Sequence, residues 1–227
     1  MNIDFLNENM MGPNAWLIAE ELTANLPLKK GMRVLDLGCG RGLTSVFLAE
    51  TFGVEVFAVD LWTSATENYN RFQQAGVSDM IVPLQFDALQ LPFADGFFDA
   101  VVSVDSYHYF GNNDTYFAKV LKPVLKKDAI VAIAFPGMKF EVAHAVPEEM
   151  KPLWDNDILT MVHSIDWWRP KFEAHLKNFR ISEMSCFDKA WADWISCGNA
   201  YALEDKPMME TDNGRYMNLI KLSGSIR

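Results

Sequence analysis

Short apolar runs alternate with stretches of helical periodicity along the first 136 residues of the chain. The runs predict strands at Arg33–Leu37, Val54–Val59, Ile81–Phe86, Ala100–Val104 and Ala129–Phe135. The last run is apolar almost throughout, as expected of a strand that is covered on both faces of a sheet. This alternation predicts an α/β fold, in which a mostly parallel sheet is built through right-handed crossovers.

Helical spacing fills the intervals between these runs. Helices are predicted over Asn14–Leu26 and Leu43–Phe52, from Ser64 toward Ala75, and from Asn113 or Asp114 onward. Ser64 and Glu67 have the spacing of a capping box, in which two side chains satisfy backbone N–H groups at the start of a helix. Helices in this arrangement are expected on both faces of the sheet.

The pattern changes after Pro136. Residues Lys139–His163 show no clean period, and we interpret them as part of a cap insertion over the mouth of the site. A firmer helix is predicted over Asp166–Phe179, followed by two closing strands at Arg180–Phe187 and Tyr216–Ile226. The chain is therefore predicted to be a single domain. Its predicted parts are an N-terminal lid and helix (1–29), a cofactor-binding core (30–136), the cap insertion (137–165), and a C-terminal helix with the closing strands (166–227).

The first strand runs directly into glycines at alternate positions, Gly38, Gly40 and Gly42, before the next helix begins. Glycine at such a turn lets the backbone bend sharply and lets a ligand lie against bare peptide. The helix that follows presents free N–H groups to a negatively charged ligand. Asp60 closes the second apolar run, where an acid is placed to accept hydrogen bonds from a ribose diol. These features together predict a site for a nucleoside cofactor.

The acids near this turn narrow the choice of cofactor. Asp36 lies two residues before the first glycine, where it would repel a pyrophosphate and attract an ammonium group. The glycine spacing is Gly-x-Gly-x-Gly, not Gly-x-Gly-x-x-Gly, and a third acid, Asp87, precedes the run Leu91-Pro92-Phe93. Over Lys30–Pro136 the chain resembles the class I S-adenosylmethionine-dependent methyltransferases, in particular the small-molecule branch that includes the ubiquinone- and menaquinone-biosynthesis type (type 11).

The resemblance implies a Rossmann-like, seven-stranded sheet whose last two strands form an antiparallel pair. It implies S-adenosylmethionine as the cofactor and S-adenosylhomocysteine as the product. Asp36 and the glycines would hold the methionine part, Asp60 would bind the ribose hydroxyls, and Asp87 would face the adenine amino group. The other predicted cofactor-binding residues are Cys39 (through its backbone N–H), Leu61, Trp62, Ala88, Leu89 and Asp105.

The fourth predicted strand ends within the segment Ser103–Gly111, and ligands of open α/β sheets bind beyond the carboxyl ends of the strands. His108 is the predicted general base, because an imidazole ordinarily titrates near neutrality. A histidine in an aromatic run is as often a packing residue, so that interpretation stays open. Asp105 is predicted to orient the substrate or an amine nucleophile, and Tyr107 or Tyr109 to donate a hydrogen bond or shape the pocket.

Composition and charge limit the possible partners. The net charge of −10 argues against a nucleic-acid partner, whose binding needs a clustered basic surface. Three cysteines give neither a disulfide framework nor a metal site, and His144, His163 and His175 are too scattered to hold a metal. No apolar run approaches membrane-spanning length, and the N-terminal residues lack the pattern of a signal peptide. A cytoplasmic protein without a membrane partner is expected, and the sequence indicates no oligomeric state.

These observations predict an enzyme that transfers a methyl group from S-adenosylmethionine to an oxygen, nitrogen or carbon atom of a small molecule. The acceptor is expected between the Asp105–Tyr109 loop, the N-terminal lid and the cap insertion. Two alternatives stay open. A non-catalytic or regulatory protein would bind S-adenosylmethionine without methyl transfer, and a nicotinamide-dependent oxidoreductase would bind NAD in its place.

Overall fold

A seven-stranded mixed sheet forms the centre of the computed structural model, which describes residues 2–142 and 145–227. The strands are β1 (Arg33–Leu37), β2 (Glu55–Asp60), β3 (Ile81–Gln85), β4 (Phe98–Val104), β5 (Leu125–Met138), β6 (Leu176–Glu183) and β7 (Met217–Ile226). Their order across the sheet is β3-β2-β1-β4-β5-β7-β6. Strands β1 to β5 pair in parallel, whereas β7 runs antiparallel to both β5 and β6. The predicted fold class and its antiparallel closing pair are therefore confirmed.

Helices cover both faces of this sheet. They are α1 (Ile3–Asn9), α2 (Ala15–Thr23), α3 (Leu43–Phe52), α4 (Ala65–Gln74), α5 (Lys122–Val124), α6 (Asn156–Met161), α7 (Ile165–Glu173), α8 (Phe187–Ser196) and α9 (Ala200–Asp212). Neighbouring residues of β1 point to opposite faces, so Val34 joins the buried cluster of α2 and α3 while Leu35 joins that of α7. Within the described ranges, no helix has the length and apolar character needed to cross a membrane.

Local signals in the sequence set several helix boundaries. Helix α3 spans the predicted Leu43–Phe52 and ends at Gly53, whose φ of 64° stops the right-handed helix. At the start of α4, Ser64 Oγ accepts the N–H of Glu67, and the Glu67 carboxylate accepts the N–H of Ser64. This capping box forms as predicted, because it satisfies N–H groups that have no partner inside the helix.

The predicted boundary between the C-terminal helix and the first closing strand is wrong. The helix predicted over Asp166–Phe179 ends at Glu173, and β6 begins at Leu176, before the predicted start at Arg180. Leu176 pairs with Ile226 of β7 and is fully buried there. Its apolar spacing continues the helical pattern, but pairing with the neighbouring strand decides the local structure.

Helices α8 and α9, between the two closing strands, are absent from the prediction. In α8 the buried side chains recur at helical spacing, at Phe187, Ala190, Trp191 and Trp194, so the sequence does carry this signal. The sequence signal for α9 is weaker, because Pro207 lies inside the helix and proline ordinarily indicates a helix boundary. The helix predicted from Asn113 or Asp114 also starts later. It begins with a π-helical turn over Phe117–Leu121, which leads into α5.

Candidate active site

A cavity of about 410 Å³ opens at the carboxyl ends of β1, β2, β3 and β4, where loops follow the strands. A volume of this size is typical of sites for small ligands. Its wall combines these four loops with the segment between α1 and α2. The main stretches of the wall are Gly38–Arg41 after β1, Val59–Trp62 at the end of β2, Phe86–Leu89 after β3, Val104–Ser106 with Tyr109 and Phe110 after β4, and Met11–Pro13 from the N-terminal segment.

The turn after β1 requires glycine for its backbone angles and for its close packing. Gly38, Gly40 and Gly42 have φ of 76°, 53° and 84°, in the left-handed region that favours glycine. A Cβ on Gly38 would lie only 2.2 Å from Ser106 Oγ. The N–H groups of Gly38 and Cys39 donate to the carbonyl oxygen of Val59 at 2.8 and 3.0 Å. The turn is therefore held between the end of β2 and the loop after β4.

Asp36 is fully buried in β1, against the first turn of α3. Ser45 Oγ donates to Asp36 Oδ2 at 2.6 Å, whereas Asp36 Oδ1 has no hydrogen-bond partner among the described residues. Burial, reinforced by the charge of Asp60, raises the pKa of Asp36 to about 7. A buried carboxyl oxygen without a donor costs free energy. Asp36 is not among the residues that line the cavity, so this oxygen is a candidate contact only for a ligand donor that reaches past the turn after β1.

Asp60 forms part of the cavity wall with its carboxylate held by the backbone. Its Oδ2 accepts the N–H of Gly40 at 2.9 Å, and its Oδ1 accepts the N–H groups of Trp62 and Thr63 at 2.9 and 2.8 Å. A carboxylate has about four acceptor positions, so about one remains for a ligand hydroxyl. Asp60 thus shapes the glycine turn and stays available to a ligand.

The loop after β3 forms the side of the cavity assigned by the sequence to adenine. Asp87 Oδ1 accepts the N–H of Leu89 at 2.8 Å, and Tyr116 Oη donates to the carbonyl oxygen of Ala88 at 3.0 Å. Both bonds order the loop at the cavity edge. Large apolar side chains remain exposed around this edge, namely those of Leu61, Trp62, Phe86 and Leu89.

Asp105 faces the cavity from the loop after β4. Its φ of 54° lies in the left-handed region, and its N–H donates to the carbonyl oxygen of Ala134 at 2.8 Å, which fixes the loop to β5. Burial, together with the charge of Asp205 on α9, raises the pKa of Asp105 to about 7. Tyr109 lines the same side, and its ring packs edge-to-face on that of Trp62, with 5.3 Å between the ring centroids.

Tyr107 and His108, two of the predicted catalytic residues, are not among the residues that line this cavity. Tyr107 is buried in the apolar cluster beside α7, where its ring packs with Phe135 and Trp168. His108 is also buried, its Nδ1 has no hydrogen-bond partner among the described residues, and burial lowers its pKa to about 4. Such an imidazole is neutral near pH 7 and is a weak proton acceptor. The role of His108 as a base stays a prediction.

The N-terminal segment covers the cavity from the side of the glycine turn. Gly12 packs so closely on Asp105 that a Cβ at this position would lie 2.3 Å from Asp105 Oδ2. Met11 packs on the glycine turn, where a Cβ added to Gly40 would lie 3.1 Å from Met11 Sδ. By contrast, none of the described residues of the predicted cap insertion lines the cavity.

Helices α8 and α9 support this N-terminal segment, a role that sequence reasoning missed. Asn14 donates through its backbone N–H to the carbonyl oxygen of Ala190 at 3.0 Å, and through Nδ2 to Asp193 Oδ2 at 2.8 Å. Trp194 Nε1 donates to Asp205 Oδ2 at 2.8 Å, which joins α8 to α9. The apolar stripe of α8 is the signal that would have pointed to these residues.

A metal centre is not indicated by the described residues, because no group of three or more potential ligands is brought together. His163 pairs with Glu141, with 3.1 Å between Nδ1 and Oε2, and stacks on Trp167. His144 lies outside the described residues.

Comparison with known proteins identifies a family and several curated proteins to which this chain is similar in sequence. A family described as "Methyltransferase domain" matches residues 35–133. The chain is 34% identical over 93 residues to a 27-O-demethylrifamycin SV methyltransferase from Amycolatopsis mediterranei (strain S699), covering 40% of this chain and 34% of that protein. It is 34% identical over 196 residues to a cyclopropane-fatty-acyl-phospholipid synthase from Escherichia coli (strain K12), covering 81% and 48% of the two chains. The chain spans less than half the length of these curated relatives.

The fold also matches solved structures. A geranyl diphosphate C-methyltransferase from Streptomyces coelicolor A3(2), solved with Mg²⁺, geranyl diphosphate and S-adenosyl-L-homocysteine, superposes with a TM-score of 0.73 at 17% identity. The match covers 93% of this chain and 78% of that one, and at this identity it shows a shared fold alone. Residues 35–133 thus match a methyltransferase domain, and the glycine turn and the strand order agree with the resemblance of the sequence to the class I S-adenosylmethionine-dependent methyltransferases.

Proposed function

We propose that this chain is an enzyme that transfers a methyl group from S-adenosylmethionine to an oxygen, nitrogen or carbon nucleophile of a small molecule. The observation that carries this proposal is a single cavity with two chemically different sides. One side is the glycine turn with Asp60, which suits a nucleoside. The other side carries Asp105 and Tyr109, whose polar and aromatic groups suit a second molecule.

The residues around the turn fit an adenosyl amino acid. The orphaned Oδ1 of Asp36 suits an ammonium group. Gly42 precedes helix α3 and offers no side-chain cap, so the N–H groups of the first turn are available to a carboxylate. Asp60 keeps about one acceptor position for a ribose hydroxyl. A charged ammonium, a carboxylate and a ribose are thus each matched by a group of the chain.

When bound, S-adenosylmethionine would supply a methyl group on a positively charged sulfur, which an electron pair of the acceptor would displace with S-adenosylhomocysteine as the leaving group. The chain has to align the acceptor and exclude water. Met11 and Gly12 cover the turn, and Trp62 and Tyr109 meet across the opening. Asp105, whose pKa of about 7 lies near neutrality, is the side chain we assign to hold a proton that leaves the acceptor.

A calorimetric titration with S-adenosylhomocysteine tests this proposal, with NAD as the control ligand. We expect S-adenosylhomocysteine to bind and NAD to give no heat of binding. Methyl transfer is then followed by mass spectrometry with S-adenosylmethionine and a set of amines, phenols and carboxylic acids. Binding of NAD without S-adenosylhomocysteine would establish the oxidoreductase alternative, whereas cofactor binding without any transfer would favour the non-catalytic one.

Cofactor binding is also expected to release protons near pH 7. With a pKa of about 7, Asp36 is about half protonated there in the free protein, and an ammonium group placed beside it favours the ionised form. Binding of S-adenosylhomocysteine should therefore release about half a proton at pH 7 and close to one proton at pH 6. The affinity should fall as the pH is lowered through this range, because protons compete with the ligand for the carboxylate.

Calorimetry in phosphate, imidazole and Tris buffers measures this release, because the observed heat depends on the ionisation enthalpy of the buffer. The dependence should disappear in an Asp36→Asn variant. An Asp95→Asn variant, which changes an exposed acid outside the cavity wall, serves as the control and should retain it. Equal heats in all buffers for the unaltered protein would contradict the assignment of the ammonium group to Asp36.

A further inference from the structure

The carboxyl group of Asp105 lines the cavity without a compensating partner from the part of the protein that the structure describes. Asp105 is partly buried in the wall, and among the described residues its side chain takes part in no hydrogen bond or ion pair that the structure shows. The cationic side chain in the same wall is Arg41, whose Nη1 instead donates to the carbonyl oxygen of Glu8 at 2.9 Å. A carboxylate removed from water without a partner costs free energy that a bound cation would offset.

A second carboxylate strengthens this preference for positive charge. Asp205 of α9 lies close enough to Asp105 for its charge to add to the effect of burial on the pKa of Asp105. Its Oδ2 is occupied by the indole N–H of Trp194, a neutral donor that leaves the negative charge in place. The pKa of Tyr109 is raised to about 12 by burial and by the charges of both acids. The acceptor side of the cavity is therefore electrically negative.

Aromatic rings complete the same side. Tyr109 and Trp62 meet edge-to-face and are 48% and 65% exposed, so large parts of both rings remain accessible. Phe110 lines the wall next to Tyr109. The faces of aromatic rings attract cations, and they also accept the apolar carbon atoms attached to them. A carboxylate beside accessible aromatic rings is the combination that binds organic ammonium groups.

We propose that the methyl acceptor is an organic amine, bound as its ammonium ion with the nitrogen on Asp105 and its carbon substituents against Trp62 and Tyr109. This inference rests on the proposed methyltransferase function and names its substrate class. After binding, in the step that precedes methyl transfer, the ammonium ion transfers one proton to the Asp105 carboxylate, which gives a neutral amine and a neutral carboxylic acid. The amine nitrogen then has the electron pair that it needs as a nucleophile, and the proton later leaves Asp105 for solvent.

Equilibrium binding of amines and their neutral isosteres tests the proposal. Benzylamine, 2-phenylethylamine and butylamine are titrated into the protein saturated with S-adenosylhomocysteine, beside benzyl alcohol, 2-phenylethanol and butanol. We expect at least one amine to bind 10-fold or more tightly than its alcohol, as about one charge-assisted hydrogen bond would give. In the Asp105→Asn variant this ratio should fall to within about 3-fold, while the affinity for the alcohol stays the same.

Asn suits this test because it tolerates the left-handed backbone of Asp105. The Glu50→Gln variant raises the net charge by the same amount at an exposed site on α3 and should keep the full ratio. Asp205→Asn should lower the ratio by a smaller factor, because Asp205 acts through its charge. A preference for the alcohols, a ratio that survives Asp105→Asn, or no binding of any amine would overturn the inference. Failure of S-adenosylhomocysteine to bind in the first place would instead overturn the proposed function.

Discussion

Replacement of Asp60 by alanine is expected to weaken the binding of S-adenosylhomocysteine by about 100-fold or more. The variant loses an acceptor for a ribose hydroxyl and also the acceptor of the N–H groups of Gly40, Trp62 and Thr63. Each unsatisfied buried group costs about 1–3 kcal/mol, and a factor of 100 in affinity corresponds to about 2.8 kcal/mol. One lost ribose contact together with a loosened turn is sufficient for this effect. Calorimetric titration measures it directly.

A ligand without the ribose hydroxyl separates the two causes. The parent protein should bind the 2′-deoxy analogue of S-adenosylhomocysteine more weakly than S-adenosylhomocysteine itself, whereas Asp60→Ala should bind both ligands equally. The control is Asp95→Ala, which removes an exposed carboxylate outside the cavity wall and should leave both affinities unchanged. If Asp60→Ala bound S-adenosylhomocysteine as tightly as the parent protein, the ribose contact would be misplaced.

The cofactor side of the cavity could be inferred from the sequence because its determinants are local. The glycine turn and the following helix come directly after β1, Asp60 is the last residue of β2, and parallel pairing of β1 with β2 brings the two strand ends together. The capping box at Ser64 is equally local. The assignment of individual residues to parts of the cofactor remains a prediction.

The acceptor side depends on contacts that are distant along the chain. Burial and the charge of Asp205 raise the pKa of Asp105. Asp205 lies on α9, a helix that the sequence analysis did not predict. His108 and Tyr109 are neighbours in sequence, but the turn that contains them leaves only Tyr109 in the cavity wall. Successive side chains of a strand point to opposite faces of the sheet, so their directions can be predicted from the sequence. A short irregular turn has no such period. Tyr107 packs against Trp168 of α7 and Phe135 of β5, whereas Tyr109 packs on Trp62 at the cavity.

Gly42 illustrates how a residue assigned to cofactor binding can also be required for packing. It does not line the cavity, and its φ is 84°. A Cβ at this position would lie 2.3 Å from Cε1 and 2.8 Å from Cζ of Phe72, a fully buried ring on α4. We therefore expect Gly42→Ala to lower the free energy of unfolding by about 3 kcal/mol, from about 1 kcal/mol of backbone strain and about 2 kcal/mol of overpacking. For a chain of this size, the Tm should fall by about 6–12 °C.

Gly76→Ala is the matched control, because Gly76 has a similar φ of 75° and no atom within 4 Å of its Cβ position. It should show the backbone cost alone, about 1 kcal/mol. A double-mutant cycle with Phe72→Leu isolates the clash, since a smaller side chain at position 72 leaves space for the new methyl group. Gly42→Ala should therefore cost less in the Phe72→Leu background than in the parent protein. Equal losses for Gly42→Ala and Gly76→Ala in thermal or urea unfolding would rule out the packing role, and the third glycine would then be needed for its backbone angles alone.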